Sequence, residues 1–349
     1  MPTSLDVRGL TVELPTPSGW VRPVNDVSFT LERGETLGIV GESGSGKTML
    51  SLALMGLEPH GGRHQGEAWL HPRNPSANGQ GNGSSGAAKR AVNADAISSD
   101  GPRKNLLTLS PEKMRAVRGR EIAMIFQEPM TALNPVVRIG EQIEEAIRVH
   151  EPHAAARDIR RRALASIERA ALSDPERRAR QYPHKLSGGL RQRVMIAMAL
   201  AAGPGVLIAD EPTTALDVTV QKQILDLLAK LRQDLQLSMI FITHDLGVVA
   251  QVAERVAVMY AGRIVEEGPV TEVLQAPSHP YTQALLRAAP RLVREKLVPI
   301  PGTVPSLDAL PPGCAFAPRC PQHVPLCDAA VPELRAVNTK HHARCILVP

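Results

Sequence analysis

Aromatic residues make up only 3% of this 349-residue chain, so its hydrophobic core must be built from Ala, Val, Leu and Ile. No apolar run approaches the ~20 residues that a membrane-spanning helix needs. Basic residues outnumber acidic ones by only 40 to 35, so nucleic acid is not an expected partner. Residues 1–14 lack a charged segment followed by an apolar one, so no secretory signal is predicted. We therefore expect a cytosolic protein that reaches a membrane only through a partner.

Cysteine is rare and confined to the last 36 residues, where it occurs as Cys314, Cys320, Cys327 and Cys345. Disulfides are rare in the reducing cytosol, so this grouping favours a shared metal site. The intervening lengths of five, six and seventeen residues contain no C-x-x-C pair, unlike the usual zinc finger. Four thiolates can hold a [4Fe–4S] cluster or zinc, and unliganded thiols are the alternative. The neighbouring His323, His341 and His342 are interpreted as solvated surface residues.

Hydrophobic patterning predicts an α/β fold. Alternation over residues 5–31 indicates antiparallel strands, and residues 139–186 have helical spacing. Short apolar runs predict buried strands at 36–40, 206–209 and 239–243, and a helix at 220–235 separates the last two. Residues 71–104 are rich in Gly, Asn and Ser, cannot bury enough apolar area, and are predicted to be a disordered surface loop.

A complete G-x-x-x-x-G-K-[ST] motif follows the first of these buried strands and precedes a helix. Its residues are Gly41, Glu42, Ser43, Gly44, Ser45, Gly46, Lys47 and Thr48. The glycines let backbone N–H groups turn inward and form an anion site at a helix N-terminus. Lys47 can then reach the β- and γ-phosphates of ATP, and the hydroxyl of Thr48 can ligate Mg²⁺.

Two carboxylates, Asp210 and Glu211, end the buried strand at 206–209. The carboxyl ends of parallel strands form the edge at which ligands bind. Asp210 is therefore predicted to hold Mg²⁺ and Glu211 to polarise the attacking water.

A second glycine-rich turn, Ser187-Gly188-Gly189, opens a predicted helix shortly before Asp210 and resembles the signature of ABC ATPases. Gln127 resembles the Q-loop of that family, the run 215–217 its D-loop, and His244 its switch histidine. The order and approximate spacing also agree. A P-loop kinase would lack the Ser-Gly-Gly turn.

The resemblance implies a P-loop NTPase of the ABC cassette type over residues 1–265, with a RecA-like core and an antiparallel β subdomain. It also implies a helical signature subdomain at about 128–203 and a cysteine-containing C-terminal extension over 266–349. Two such cassettes would pair head to tail, so that Ser187–Gly189 of one caps ATP on the other. Gln127 would contact Mg²⁺, and His244 would act with Glu211 in catalysis.

An aromatic residue stacks on adenine in this family. Trp20 is the candidate here, although a strict alignment places the position at Ser18. Two further differences from the family are the long insertion at 71–104 and Leu190, where Met or Gln is common.

Residues 126–135 and 213–221 resemble the oligopeptide/dipeptide importer branch, and Glu128-Pro129-Met130 favours its D-type subunit. The tail motifs at 279–282 and 313–321 resemble the same branch, which implies an iron–sulfur cluster on the four cysteines. The implied partners are two membrane permeases, a sister ATPase or a second copy, and indirectly a solute-binding protein. The motor would then lie at the cytoplasmic face of the membrane. Transport of nickel or another small solute, and a soluble non-transport ABC ATPase, are the alternatives.

Overall fold

The computed structural model describes residues 2–72, 102–289 and 299–348. Within these ranges the strands are β1 (Thr3–Thr16), β2 (Gly19–Glu32), β3 (Thr36–Val40), β4 (Arg63–Leu70), β5 (Lys104–Asn105), β6 (Ile122–Ile125), β7 (Val206–Asp210), β8 (Ser238–Thr243), β9 (Arg255–Tyr260), β10 (Arg263–Pro269), β11 (Arg335–Ala336) and β12 (His342–Ala343). The helices are α1 (Lys47–Leu54), α2 (Pro111–Val117), α3 (Pro129–Ala132), α4 (Ile139–Arg148), α5 (Ala156–Arg169), α6 (Pro175–Ala179), α7 (Gly188–Leu200), α8 (Val218–Leu235), α9 (Leu246–Val252), α10 (Val270–Gln275) and α11 (Pro280–Ala288).

The first sheet is antiparallel and has the strand order β2-β1-β4-β5. Leu5, Val7, Leu10 and Val12 of β1 are buried against the second sheet and α1, in one cluster with Ile39 of β3. The predicted antiparallel strands over residues 5–31 are confirmed. Most of the predicted insertion lies outside the described residues, which resume with strand β5 after the gap.

The second sheet has the order β11-β12-β10-β9-β3-β8-β7-β6. Strands β6, β7, β8, β3 and β9 are parallel. Every residue of β3, β7 and β8 is buried, which explains why each appears as a continuous apolar run in the sequence. The segments that follow β3, β6, β7 and β8 therefore leave the sheet at one common edge, where ligands bind in α/β proteins.

Helices α3 to α7 form a layer that begins just after this edge. Ile139, Ile143 and Ile147 of α4 recur every four residues, are buried, and belong to one cluster with Ile159 and Ile167 of α5. The same cluster includes buried residues of α7 and α8. The N-terminus of α7, which carries Ser187 and Gly188, is thereby held on a packed scaffold.

The C-terminal residues extend the second sheet. Strand β12 pairs with β10, and β11 pairs with β12. The predicted domain boundary at 265/266 falls within β10. Phe316 of the tail is 1% exposed and shares a cluster with Tyr260 and Tyr281. The tail thus folds by adding strands and apolar side chains to the existing core. None of the helices in the described ranges is long and apolar enough to cross a bilayer.

Candidate functional site

The loop from Gly41 to Thr48 connects β3 to α1 and is packed too closely for side chains at two of its glycines. A Cβ atom at Gly41 would lie 2.2 Å from the carbonyl oxygen of Met259, and one at Gly46 would lie 2.0 Å from that of Pro23. Gly46 also has a φ of +101°, in the left-handed region that favours glycine. The motif's glycines are therefore required by backbone packing as well as by the phosphate-binding turn.

Lys47 lies at the base of this loop. Its ammonium Nζ donates to the carbonyl oxygens of Gly41 at 2.8 Å and Glu42 at 2.9 Å, and to the hydroxyl of Ser45 at 3.2 Å. Burial lowers the pKa of Lys47, and the nearby carboxylate of Glu211 opposes that shift. The ammonium is thus held close to the position where phosphate oxygens enter a loop of this type.

Asp210 ends β7 beside Thr48 and is only 1% exposed. Burial raises the pKa of Asp210 to about 6, and a hydrogen bond with the Thr48 side chain opposes the shift. In the described part of the chain, Asp210 Oδ1 has no hydrogen-bond partner. A buried carboxylate with a free oxygen next to a hydroxyl is a donor set that suits Mg²⁺, so the predicted magnesium ligands Asp210 and Thr48 fit that ion.

Glu211 is the point at which three other side chains meet. Its Oε2 accepts hydrogen bonds from the Thr214 hydroxyl at 2.7 Å and from Gln127 Nε2 at 3.4 Å. The Nδ1 atom of His244 lies 3.3 Å from the same oxygen. The fold therefore brings together Gln127, Glu211 and His244 after the ends of β6, β7 and β8. More than a hundred positions separate the first of these residues from the last in the sequence.

The backbone of Glu211 is fixed in an uncommon conformation. Its φ of +45° lies in the left-handed region, which is costly for a residue with a side chain. The N–H of Glu211 donates to the carbonyl oxygen of Ile242 in β8 at 2.9 Å, which holds that conformation in place. Such strain is typical of positions where a side chain must be aimed at a reacting atom.

Ser187, Gly188 and Gly189 begin α7, where Ser187 and Gly188 are exposed. A Cβ atom at Gly189 would lie 2.5 Å from Val220 Cγ1 at the start of α8, so this turn packs tightly on its neighbour. Across the described ranges, no hydrogen bond or ion pair joins these three residues to the loop at 41–48. The second predicted anion site is therefore exposed at Ser187 and Gly188 and, in the described residues, makes no hydrogen bond to the phosphate-binding loop of its own chain.

A model of the ABC transporter family matches residues 24–214, which include the loop at 41–48, the Ser187–Gly189 turn, Asp210 and Glu211 but not His244. The chain belongs to the ABC transporter family. A model of the C-terminal region of oligopeptide/dipeptide transporters matches residues 265–327. This match covers most of β10 and much of the tail.

Two relatives of this ABC protein carry the name peptide import ATP-binding protein. One, from Brucella melitensis, is 48% identical over 98% of this chain and 96% of its own length. Another, from Brucella abortus, is 46% identical over 90% of this chain and 86% of its own length.

Solved structures of ABC cassettes have the same fold. The post-hydrolysis dimer of the cassette MJ0796, bound to ADP and Pi, superimposes with a TM-score of 0.59 at 26% identity. It covers 76% of this chain and 98% of the cassette. A structure of cbiO1 from Clostridium perfringens, at 23% identity and a TM-score of 0.57, shares the fold. The predicted ABC cassette architecture is thus confirmed, and ATP hydrolysis is the activity that the family carries.

Trp20 lies in β2 opposite Pro15 and is 45% exposed. The guanidinium of Arg63 stacks over its ring at 4.1 Å from the centroid. Ser18, the alternative position from the strict alignment, lies in the preceding turn and bonds to Thr16 and Asp308. An exposed indole is available for stacking, and adenine contact by Trp20 stays a prediction.

The predicted metal site on the cysteines is not confirmed. The four thiols line one small cavity together with Phe316 and His279. Among residues 2–72, 102–289 and 299–348, however, no group of three or more His, Cys, Asp or Glu side chains is placed to hold a metal ion. Burial raises the pKa of Cys314, Cys320 and Cys345, which favours neutral thiols over the thiolates that bind metals. The residue types fit an iron–sulfur cluster or zinc, and in the described arrangement the four thiols share a cavity without forming a ligand set.

The interpretation of His341 as a solvated residue is wrong. It is 2% exposed, and its Nε2 lies 2.7 Å from Oε1 of Glu266, whose side chain is fully buried in β10. Because β12 pairs with β10, the residue before β12 is carried against the sheet. The histidine therefore ties the tail to the cassette.

Three side chains near the site were not predicted to act there. Thr214 follows Glu211 within a recognised motif, so its proximity is a local signal. Tyr281 and Arg319 contact Glu42 of the phosphate-binding loop from more than 200 positions away. Both lie within the tail motifs at 279–282 and 313–321, but these motifs do not show that the two side chains reach the loop, because that depends on how the C-terminal segment packs.

Proposed function

We propose that this chain is the ATP-hydrolysing motor subunit of an ABC importer for dipeptides or oligopeptides. The observation that carries the proposal is the convergence of Gln127, Thr214 and His244 on Glu211, beside the Asp210–Thr48 pair. The solute class is supported by the match to the oligopeptide/dipeptide transporter C-terminal region and by the names of the relatives.

The residues have separable roles in hydrolysis. Lys47 and the backbone N–H groups of the loop bind the phosphates, and Thr48 and Asp210, with Gln127, hold Mg²⁺, which supplies charge neutralisation at the phosphates when bound. Glu211 accepts a hydrogen bond from the attacking water and polarises it. His244, within 3.3 Å of Glu211, orients that water and binds the γ-phosphate. Rate acceleration then comes mainly from positioning and electrostatic stabilisation.

Catalysis requires a second cassette in this proposal. Ser187 and Gly188 are exposed, and in the described residues their turn makes no hydrogen bond to the loop at 41–48 of the same chain, which supports its supply by a partner cassette arranged head to tail. Closure would be favoured by ATP, because only the closed state adds contacts to the nucleotide. The partner is either a sister ATPase subunit or a second copy of this chain.

We further propose that the closed pair drives two permease subunits from the cytoplasmic face of the membrane, with a solute-binding protein delivering the peptide. The test is uptake of labelled dipeptide, labelled oligopeptide and nickel by cells that lack the gene. The cells are complemented with wild-type protein or with Glu211→Gln. Peptide uptake that returns only with the wild type supports the proposal. Restoration of nickel uptake alone would assign the motor to metal transport, and restoration of neither would favour a non-transport ATPase.

The cassette over 1–265 and the extension over 266–349 are proposed as functional divisions of one continuous core.

We also propose that the four cysteines bind a [4Fe–4S] cluster or zinc, supported by their shared cavity. Thiol rearrangement would have to accompany binding. Full-length protein purified without oxygen should contain stoichiometric iron or zinc, and Cys327→Ser should lose it. Metal-free wild-type protein with four titratable thiols would contradict the proposal.

A further inference from the structure

Glu42, the second residue of the phosphate-binding loop, is held by residues from the far end of the chain. Its carboxylate accepts two hydrogen bonds from the guanidinium of Arg319, from Nη1 to Oε2 at 2.8 Å and from Nη2 to Oε1 at 3.1 Å. Its backbone N–H donates to the hydroxyl of Tyr281 at 2.8 Å. Arg319 and Tyr281 stand 277 and 239 positions away in the sequence, so tertiary packing fixes this residue.

Arg319 is a rigid anchor and not a surface charge. Its side chain is 3% exposed, against 28% for that of Glu42. Its Nε donates to the carbonyl oxygen of Pro301 at 2.9 Å, and Nη1 lies 3.3 Å from the hydroxyl of Tyr260. The planar guanidinium matches a carboxylate through two parallel bonds, a geometry that lysine cannot reproduce.

Tyr281 is fixed by an aromatic cluster behind the loop. Its ring centroid lies 4.5 Å from that of Tyr260 and 5.4 Å from that of Phe316, and all three side chains are at most 1% exposed. The chain has only 3 tyrosines and 4 phenylalanines, so a cluster of three here is a large share of its aromatic residues. The cluster holds the hydroxyl of Tyr281 against the N–H of Glu42.

Glu42 in turn helps to fix the position of the Lys47 ammonium group. The carbonyl oxygens of Glu42 and of Gly41 both accept hydrogen bonds from Lys47 Nζ. The Gly41–Glu42 peptide is planar, so turning its N–H toward Tyr281 also sets the direction of the Gly41 carbonyl. A loop whose backbone is fixed before the ligand arrives loses less conformational entropy when it binds.

We propose that Arg319 and Tyr281 are positioning residues for nucleotide binding, which fix Glu42 and through it the carbonyl groups that hold Lys47. The C-terminal segment thereby contributes to ATP affinity without touching ATP. The inference rests on ATP binding at this loop, as in the proposed function, and is independent of the transported solute.

The test measures the Kd of the full-length chain for ATP with Mg²⁺ in the variants Tyr281→Phe and Arg319→Lys. Tyr281→Phe removes one oxygen and keeps the ring, and Arg319→Lys keeps the charge but loses the paired bonds. Each variant should raise Kd on the order of tenfold, the effect of one hydrogen bond to a charged or fixed group. In the steady state, KM for ATP should rise by more than kcat falls.

Arg344→Lys is the matched control. Arg344 is another largely buried arginine of the same segment, but it donates to the carbonyl oxygens of Ile264 at 3.0 Å and Pro332 at 3.1 Å, away from the loop. The Kd of Arg344→Lys for ATP should stay within about twofold of the wild-type value, a smaller change than the loss of one hydrogen bond produces. An equal loss of affinity in Arg344→Lys would show a general loosening of the segment and would overturn the proposal.

A double-mutant cycle tests whether Glu42 and Arg319 affect ATP binding through their mutual interaction or independently of each other. The effects of Glu42→Gln and Arg319→Gln on Kd should be strongly non-additive, because either one removes the same interaction. Additive effects would overturn the proposal. Lys47→Ala distinguishes failure of the positioning role from failure of the proposed nucleotide site. If Lys47→Ala abolishes ATP binding while Tyr281→Phe and Arg319→Lys bind ATP normally, only the positioning role fails. If Lys47→Ala binds normally, the nucleotide site itself is misassigned.

Discussion

His244 Nδ1 lies 3.3 Å from Glu211 Oε2, although the two residues follow different strands of the parallel sheet. The same oxygen accepts the Thr214 hydroxyl hydrogen bond at 2.7 Å. A carboxylate held from two sides can present its other oxygen to a water in a defined direction. Glu211 and the hydroxyl of Thr214 that holds it should therefore both affect turnover.

Glu211→Gln should leave ATP binding nearly intact and lower turnover by about 10²- to 10⁴-fold, because an amide cannot serve as a general base. Phosphate release and ATP affinity, measured on the same preparation, check this. Glu168→Gln, at an exposed position of α5, is the control and should behave as wild type. Unchanged hydrolysis in Glu211→Gln would remove Glu211 from its assigned role.

Thr214→Val should lower kcat about tenfold while the Kd for ATP changes little. The variant deletes the hydroxyl that fixes Glu211 Oε2 and keeps the side-chain shape, and a hydrogen bond to a charged group has an effect of this size. Thr214→Ser retains the hydroxyl and should recover most of the activity. Equal turnover in the valine and serine variants would show that this hydrogen bond does not position the carboxylate.

Trp20→Ala should weaken ATP binding by about fivefold to a hundredfold, the range expected when an aromatic stack on a base is lost. Trp20→Phe should retain part of the affinity, and intrinsic fluorescence of the wild type should change when ATP is added. Trp69→Phe is the matched control, because Trp69 lies in β4, where its indole nitrogen bonds to Glu67. If Trp20→Ala binds ATP normally, another residue must contact the adenine.

Glu267 provides a pH-dependent stability test outside the nucleotide site. Burial raises the pKa of Glu267, and in the described residues its Oε2 has no hydrogen-bond partner. The folded state therefore binds this proton more tightly than the unfolded state, so the carboxyl lowers stability above its folded-state pKa. This loss of stability disappears as the pH falls below 4.5, the pKa of the carboxyl in the unfolded chain.

Glu267→Gln should accordingly raise the melting temperature by a few degrees at neutral pH, and the difference from the wild type should shrink on acidification. Thermal unfolding across a pH series measures it. Glu145→Gln, at an exposed position of α4, should track the wild type throughout. A difference that is constant with pH would mean that the ionisation of Glu267 does not affect stability.

Much of the catalytic centre was predictable because its information is local. The loop at 41–48 needs glycines and a lysine at fixed spacing, and Asp210 and Glu211 directly follow a buried apolar strand. Parallel strands share one carboxyl edge, so strand prediction indicates that Glu211 and His244 gather there, whereas Gln127 was identified by its resemblance to the Q-loop. The structure adds the hydrogen bond of Thr214 and the positive φ of Glu211, which depend on exact backbone geometry.

The C-terminal segment was harder to predict. Its four cysteines predicted a shared metal site, yet the structure shows that β12 joins the main sheet and Phe316 enters an existing core. The burial of His341 against Glu266 follows from that pairing. Strand addition at a sheet edge leaves little trace in two-residue segments, which are too short to show an alternating pattern.

The sequence by itself determined which residues form the candidate nucleotide site, because spacing within a loop or after a strand constrains neighbouring residues directly. Only the tertiary structure decided which distant side chains hold those groups in place. Arg319 and Tyr281 meet Glu42 because the tail packs behind the loop, and that packing depends on the whole sheet and not on any local pattern.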